Sequence, residues 1–285
     1  MTDYAEHLMG EIDVIALATD GSEFSDGAVQ EAIFMGQSCG AKIVVIHVIP
    51  MTMMETATQA HASASAIRIR TKDYIHNIMQ MAVDNGIECE VVFEESYEPD
   101  KTIVELARKH KADLIIMGRH GKRGLLKLMV GSMTAKVIGH GFPRVLVVPR
   151  NDTVTGEKLL LATDGSTFSE MAAEDVLSMG QHCSTLKEVY VLSAALKETD
   201  IDKAKQRVER ICAKAKEMKL ASDYIPVTAV GRPSEVISNT AKEKDVDIIV
   251  VGGHGRGLTK LLMGHVTEKV IGRADCAVLV VEREK

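Results

Sequence analysis

Several features of membrane, secreted and nucleic-acid-binding proteins are missing from this sequence. No apolar run approaches the length of about 18 residues that a membrane-spanning helix needs. The N-terminal segment MTDYAEHLMGEID lacks a basic stretch followed by an apolar core, so we expect no signal peptide. The net charge of −6 argues against a general nucleic-acid binder, which is normally basic. The sequence therefore predicts a cytoplasmic protein that binds neither membranes nor nucleic acid.

Common catalytic and metal-binding patterns are also missing. The five cysteines include no C-x2-C pair, which favours reduced thiols over a metal site. The ten histidines include no H-E-x-x-H, so no dedicated zinc site is expected. There is no G-x-S-x-G elbow, no Walker A loop and no Rossmann G-x-G-x-x-G. The sequence thus predicts no catalytic residues.

A glycine-rich, basic stretch is the most informative feature that the sequence does contain. It reads MGRHGKRGLLKLMVGS from Met117 and has the spacing Gly118-x2-Gly121-x9-Gly131-Ser132. An apolar strand, ADLIIM, precedes it, and a helix, SMTAKVIGH, follows. Glycine lets the backbone approach a ligand, and a helix N-terminus offers free N–H groups to phosphate. Cations interleave the glycines, at Arg119, Lys122, Arg123 and Lys127. We predict a nucleotide-phosphate loop, the alternative being an ordinary solvated loop.

The chain repeats itself. LATDGSEFSDGA at Leu17 matches LATDGSTFSEMA at Leu161, and the spacing Pro-x3-Ile-x3-Ala-x5-Asp occurs from Pro99 and again from Pro233. The halves are long enough to be domains. We predict two homologous domains, at residues 1–150 and 151–285.

Each half alternates apolar strands with helices, which predicts α/β domains with a doubly wound parallel sheet and helices on both faces. Ligands of such sheets bind at the carboxyl ends of the strands. The first strand ends in Thr19-Asp20-Gly21-Ser22, and the fourth ends in the glycine loop. If the two strands are neighbours, the Asp20 carboxylate faces the loop, where it could accept from ribose hydroxyls or ligate a cation. The alternative is that Asp20 and Ser22 cap the following helix.

With these motifs the chain resembles the universal stress protein family in its tandem, two-domain form. The resemblance rests on the D-G-S strand end, on His47-Val48, on the Pro-x3-Ile-x3-Ala segment, on D-L-I-I-M-G and on the loop G-x2-G-x9-G-[ST]. It implies a five-stranded parallel sheet of order 3-2-1-4-5 in each domain. It also implies binding of ATP or AMP, with or without Mg²⁺, and a regulatory role in the stress response. A slow ATPase and a nucleotide-free interaction scaffold are the alternatives.

The resemblance also assigns ligand contacts by motif position in the first domain. The adenine would be flanked by Ala18, Thr19 and Val48, and the ribose would meet Asp20 and Gly118. The phosphates would meet Met117, His120, Gly121, Gly131, Ser132 and Met133. For His120, a solvated loop histidine is the alternative.

The second domain departs from this pattern. Only eight residues separate Gly255 from Gly264, His265 stands where Ser132 stands, and the His-Val pair is absent. We therefore predict a degenerate loop and a weak or empty site in this domain. The first domain carries an insertion within MTMMETATQAHASASA, for which we predict a mobile flap near the nucleotide, or else an ordinary surface loop.

The last strand of each half, RVLVV at 144–148 and AVLVV at 277–281, is an apolar sheet edge that needs cover or pairing. Fifth strands of the family pair antiparallel. We therefore predict an intrachain pseudo-dimer with Val145, Val147, Val278 and Val280 at the domain interface. The third-strand edges would remain open to a homodimer. The alternative is two domains on a flexible linker.

Overall fold

The computed structural model describes residues 12–51, 57–120, 130–150, 154–183, 186–254 and 263–282, and strands alternate with helices throughout them. The first half contains β1 (Val14–Ala18), α1 (Asp26–Cys39), β2 (Lys42–Pro50), α2 (Ala57–Asp84), β3 (Cys89–Ser96), α3 (Pro99–Lys109), β4 (Leu114–Gly118), α4 (Ser132–Gly139) and β5 (Arg144–Val148). The second half contains β6 (Lys158–Ala162), α5 (Thr167–His182), β7 (Glu188–Ala195), α6 (Ile201–Glu217), β8 (Asp223–Val230), α7 (Pro233–Lys244), β9 (Ile248–Gly252), α8 (His265–Arg273) and β10 (Ala277–Val281).

These strands form one ten-stranded sheet of order β3-β2-β1-β4-β5-β10-β9-β6-β7-β8. Within each half the strands are parallel and have the order 3-2-1-4-5, so the predicted α/β fold class is confirmed. The first strand of each half lies between the second and the fourth. The direction of winding therefore reverses at β1 and at β6, which is where ligands bind in open sheets of this kind.

The two halves meet along the antiparallel pair β5–β10, which we call the seam. Val147 lies opposite Val278, and Val145 lies opposite Val280. All four side chains are almost fully buried and belong to one apolar cluster, which contains residues of both halves. Leu146 and Leu279 belong to a second such cluster. Since neighbouring residues of a strand point to opposite faces, the hydrophobic core is continuous across the seam on both faces of the sheet.

An ion pair also crosses the seam. The Arg144 guanidinium donates from Nε and Nη2 to the two carboxylate oxygens of Asp175 on α5, at 2.8 and 3.1 Å. The pair is half-buried, and the carboxylate raises the pKa of Arg144 further above its usual value. Parallel bonds of this kind are among the stronger ion pairs in proteins.

The helix α2 overturns part of the prediction for the insertion. Residues 57–66, predicted as a flap or surface loop, form the first turns of this 28-residue helix, while residues 52–56 lie outside the described part of the chain. The equivalent helix α6 has 17 residues, so the insertion lengthens a helix. Among the described helices, α2 included, none combines the length and the apolar character that crossing a bilayer requires.

Candidate functional site

The carboxyl ends of β1, β2 and β4 bring the predicted adenine and ribose residues together. Ala18 pairs with Ile46 on one side and with Met117 on the other. The next amide, that of Thr19, donates to the Ile46 carbonyl at 3.1 Å. Ala18, Met117, Met133 and Val48 all belong to the apolar cluster on this face of the sheet. These apolar side chains thus form a wall beside the carboxyl end of β1, which Asp20 follows.

His47 holds the end of β1 in place through a buried hydrogen bond. Its imidazole is 2% exposed, and Nδ1 donates to the Thr19 carbonyl at 2.9 Å. The ring also packs edge-on against Phe93, with centroids 5.6 Å apart. The histidine of the His-Val pair is therefore buried and holds Thr19 in place, whereas Val48 is half-buried at the predicted site.

Asp20 organises the turn between β1 and α1. One of its carboxylate oxygens accepts from the Ser22 amide at 3.1 Å and from the Ser22 hydroxyl at 2.5 Å. The Ser22 side chain makes no capping bond to the helical turn that follows, so helix capping by Ser22 is wrong. Asp20 is half-buried beside the end of β4.

The glycine loop leaves β4 and returns to α4 through a closed neck, formed by Gly118, Arg119 and Gly131. The Gly131 amide donates to the Arg119 carbonyl at 2.9 Å, and the Arg119 amide donates to the Val148 carbonyl at 3.2 Å. A Cβ on Gly118 would lie 2.8 Å from the Phe24 carbonyl oxygen, which explains why glycine is required there. Gly121 and the basic residues Lys122, Arg123 and Lys127 lie outside the described residues.

The helix α4 begins at the neck and points its N-terminus at the site. Gly131 is its N-cap residue, and the exposed Ser132 and half-buried Met133 are its first two residues. The amides of a first helical turn have no intrahelical acceptor, so this end can receive an anion. The Thr134 hydroxyl donates to the Gly118 carbonyl at 3.0 Å and so fixes the helix to the end of β4. Sequence reasoning missed this threonine, although Thr267 repeats it and bonds Gly252 in the same way.

Helix α2 packs against the turn that carries Asp20. A Cβ on Gly21 would lie 2.5 Å from Cγ2 of Thr71, so the two elements are in close contact. One turn further on, the Tyr74 hydroxyl donates to the Asp26 carboxylate at 2.9 Å. Burial, followed by this bond, raises the pKa of Tyr74 far above its usual value. The phenol is therefore a permanent donor, and it holds α2 against the start of α1.

The second half contains a cavity of about 310 Å³ at the equivalent place. Every described residue of the predicted first-domain site has its counterpart in the lining of this cavity. In the same order, these counterparts are Ala162, Thr163, Asp164, Ala194, Val251, Gly252, His254, Gly264, His265 and Val266. In the second domain, these counterparts therefore surround one ligand-sized space. Among described residues, no lysine or arginine lines the cavity.

A buried contact between a histidine and a glutamate distinguishes the second domain. Nδ1 of His254 contacts the Glu282 carboxylate, and the two side chains are 3% and 6% exposed. The His254 ring also packs against Phe168, with centroids 5.2 Å apart. Burial raises the pKa of Glu282, while the nearby His254 acts in the opposite direction. Pro149 follows β5 where Glu282 follows β10, so the first domain has no such pair.

Metal-binding clusters of three or more histidine, cysteine or carboxylate side chains do not occur within the described ranges.

Comparisons with known proteins agree with this architecture. The sequence profile of the universal stress protein family matches residues 11–149 and again residues 156–282. A universal stress protein of Synechocystis sp. is 28% identical over 148 residues, which cover 47% of this chain and 96% of that protein. One from Mycobacterium bovis is 26% identical over 217 residues and 68% of each chain. The crystal structure of a universal stress protein from Archaeoglobus fulgidus superposes with a TM-score of 0.73 at 20% identity, over 95% of this chain and 98% of that one. The chain belongs to the universal stress protein family and carries two copies of its domain.

Proposed function

We propose that the first domain binds an adenine nucleotide, ATP or AMP, with or without Mg²⁺, and that its occupancy regulates the protein during stress. The observation that carries the proposal is the closed neck of the glycine loop. The neck bonds join the start of α4 to the end of β4, and β4 lies beside β1, which Asp20 follows. Phosphate would bind the amides, ribose hydroxyls would donate to Asp20, and the base would lie on the apolar wall.

The experiment is a calorimetric titration of the full chain with ATP and with AMP. We expect about one nucleotide per chain, because the second loop is one residue shorter and His265 stands in the place of Ser132. Two equal sites would contradict the predicted difference between the domains. Chromatography of the nucleotide after incubation separates binding from catalysis, since a binding protein leaves ATP intact and an ATPase accumulates ADP.

A pair of matched variants locates the site. Gly131 has φ −57° and ψ 139°, a backbone conformation that any residue adopts, so Gly131→Val introduces no backbone strain and puts a branched side chain at the proposed phosphate position. We expect affinity to fall at least about tenfold, or about 1.4 kcal/mol. Gly264 caps α8 with φ −59° and ψ 136°, so Gly264→Val is the control and should leave affinity unchanged. Unchanged affinity in Gly131→Val would reject this site.

A further inference from the structure

Arg119 makes two separate sets of hydrogen bonds, one through its backbone and one through its side chain. Its backbone closes the loop neck, because its amide donates to Val148 and its carbonyl accepts from Gly131. Its side chain is directed at the second domain. Nη1 crosses the seam and donates to the carbonyls of Ala274, at 2.5 Å, and Ile271, at 3.5 Å. The guanidinium of Arg119 is therefore directed at the second domain, whereas the sequence alone groups Arg119 with the cations of the glycine loop.

The group that Arg119 binds is the carboxyl end of α8. The last carbonyls of a helix have no intrahelical donor and carry a partial negative charge, so a guanidinium is a suitable partner. Both bonds are partly buried, which reduces their screening by solvent. The opposite end of α8, at His265 and Val266, lines the second-domain cavity. One helix thus connects the neck of the first loop to the wall of the second cavity.

The contact has no counterpart in the opposite direction. Gly253 occupies the position of Arg119 in the second domain, and its amide and carbonyl make the same neck bonds, to Val281 and Gly264. It has no side chain to reach the end of α4. The space where its Cβ would stand is occupied by Glu282, with Oε1 in contact. The first-domain loop is therefore anchored on the second domain, whereas the second-domain loop is not anchored in this way on the first.

We infer that Arg119 is a positioning residue, which makes the nucleotide site of the first domain depend on the second domain. The inference rests on the proposed function, because it concerns regulation of the same site. With the guanidinium anchored, the neck is ordered before the nucleotide arrives, and binding does not bear the cost of ordering it. Any change that displaces the end of α8 releases Arg119 and weakens binding in the other domain. By reciprocity, a nucleotide in the first loop stabilises the end of α8.

The test uses Arg119→Met in the full chain, which keeps the aliphatic stem and removes the guanidinium. Arg144→Met is the matched control. It also removes an arginine that crosses the seam, but the Arg144 guanidinium binds the Asp175 carboxylate on α5. We expect Arg119→Met to weaken ATP and AMP binding about tenfold relative to Arg144→Met, at comparable loss of melting temperature. Equal affinities in the two variants would overturn the inference.

Hydrogen exchange gives a readout that a merely structural arginine would not change. In the wild-type protein, nucleotide should slow amide exchange in residues 264–274, and this effect should persist in Arg144→Met and disappear in Arg119→Met. If Arg119 instead leaves α8 to bind phosphate, nucleotide will accelerate exchange there, which contradicts the inference.

The failure of the proposed function is recognised separately. If the wild-type protein binds no nucleotide, the proposed function is wrong. The anchoring by Arg119 is then tested without ligand, by measuring the hydrogen-exchange rate of the Gly131 amide. It should be faster in Arg119→Met than in Arg144→Met, and equal rates would overturn the inference.

Discussion

A double-mutant cycle across the seam tests whether the two domains form one cooperative unit. Val147 and Val278 face each other in the β5–β10 pair, and each is 1% exposed. Changing either valine to alanine removes two buried methyl groups, worth about 0.8 kcal/mol each, and leaves a small cavity. Each variant should therefore lose about 2 kcal/mol of unfolding free energy, a fall of roughly 3–4 °C in melting temperature for a cooperative unit of this length.

Directly opposed residues of an antiparallel pair interact, so the double variant should lose less than the sum of the single losses. We expect a coupling energy of about 0.5–1 kcal/mol. The control pair is Val44→Ala with Val278→Ala. Val44 is equally buried but lies on β2, three strands away from the seam, so these losses should add within about 0.5 kcal/mol.

Urea unfolding followed by circular dichroism measures both quantities. Because the core is continuous across the seam, we expect a single transition whose m-value corresponds to the whole chain. Two transitions, with Val147→Ala shifting only one of them, would show that the domains unfold independently. A coupling energy within the error of the control pair would show that the valines do not interact across the seam.

Two further predictions concern single residues. Burial raises the pKa of Glu282 above its ordinary value of 4.5, so the folded chain holds this proton more tightly than the unfolded chain. The resulting stability is complete below the ordinary pKa and is lost as pH rises through the raised pKa. The melting temperature of Glu282→Gln relative to wild type should therefore rise as the pH is raised above the ordinary glutamate pKa, and a falling difference would contradict the assignment. Gly118→Ala should destabilise the fold by about 1–3 kcal/mol, because its Cβ meets the backbone carbonyl of Phe24, and should weaken nucleotide binding. Gly36→Ala is the control, because its Cβ meets only the ends of Ile43 and Ile87 side chains, and an effect as large as that of Gly118→Ala would refute the clash.

The fold and the arrangement of the site follow from patterns that are local in the sequence. Unbroken apolar strands separated by helices require a parallel sheet covered on both faces. Once β1 and β4 are neighbours, residues at their carboxyl ends, such as Asp20 and Gly118, are close together whatever the rest of the chain does. The insertion was misjudged because it lacks an apolar stripe. Residues 57–66 contain five alanines, and alanine has the highest helix propensity of all residues.

Other features depend on contacts between the domains, which no local pattern encodes. The direction of Arg119 is set by the end of α8, more than 150 residues later in the chain. Within the sequence, Arg119 is simply one of several cations in a glycine loop, and a phosphate contact is the simpler interpretation. The pair of His254 and Glu282 was missed because its members, both in the second domain, are 28 positions apart. The Glu282 amide donates a hydrogen bond to the Pro143 carbonyl of the first domain, which holds Glu282 at the seam.

Because the two domain copies are joined in one chain, they can carry different residues at equivalent positions of their interface, which identical subunits cannot do. In a symmetric dimer of identical chains, every residue occurs at both equivalent positions of the interface. Here one position holds Arg119 and the other holds Gly253, with Glu282 in the space beside it. Because the two halves of a fused chain differ in sequence, the loop of one half can be anchored on the other without the reverse contact. If the halves were separated and the first half formed a homodimer, arginine would occupy both equivalent positions. The interface would then be symmetric.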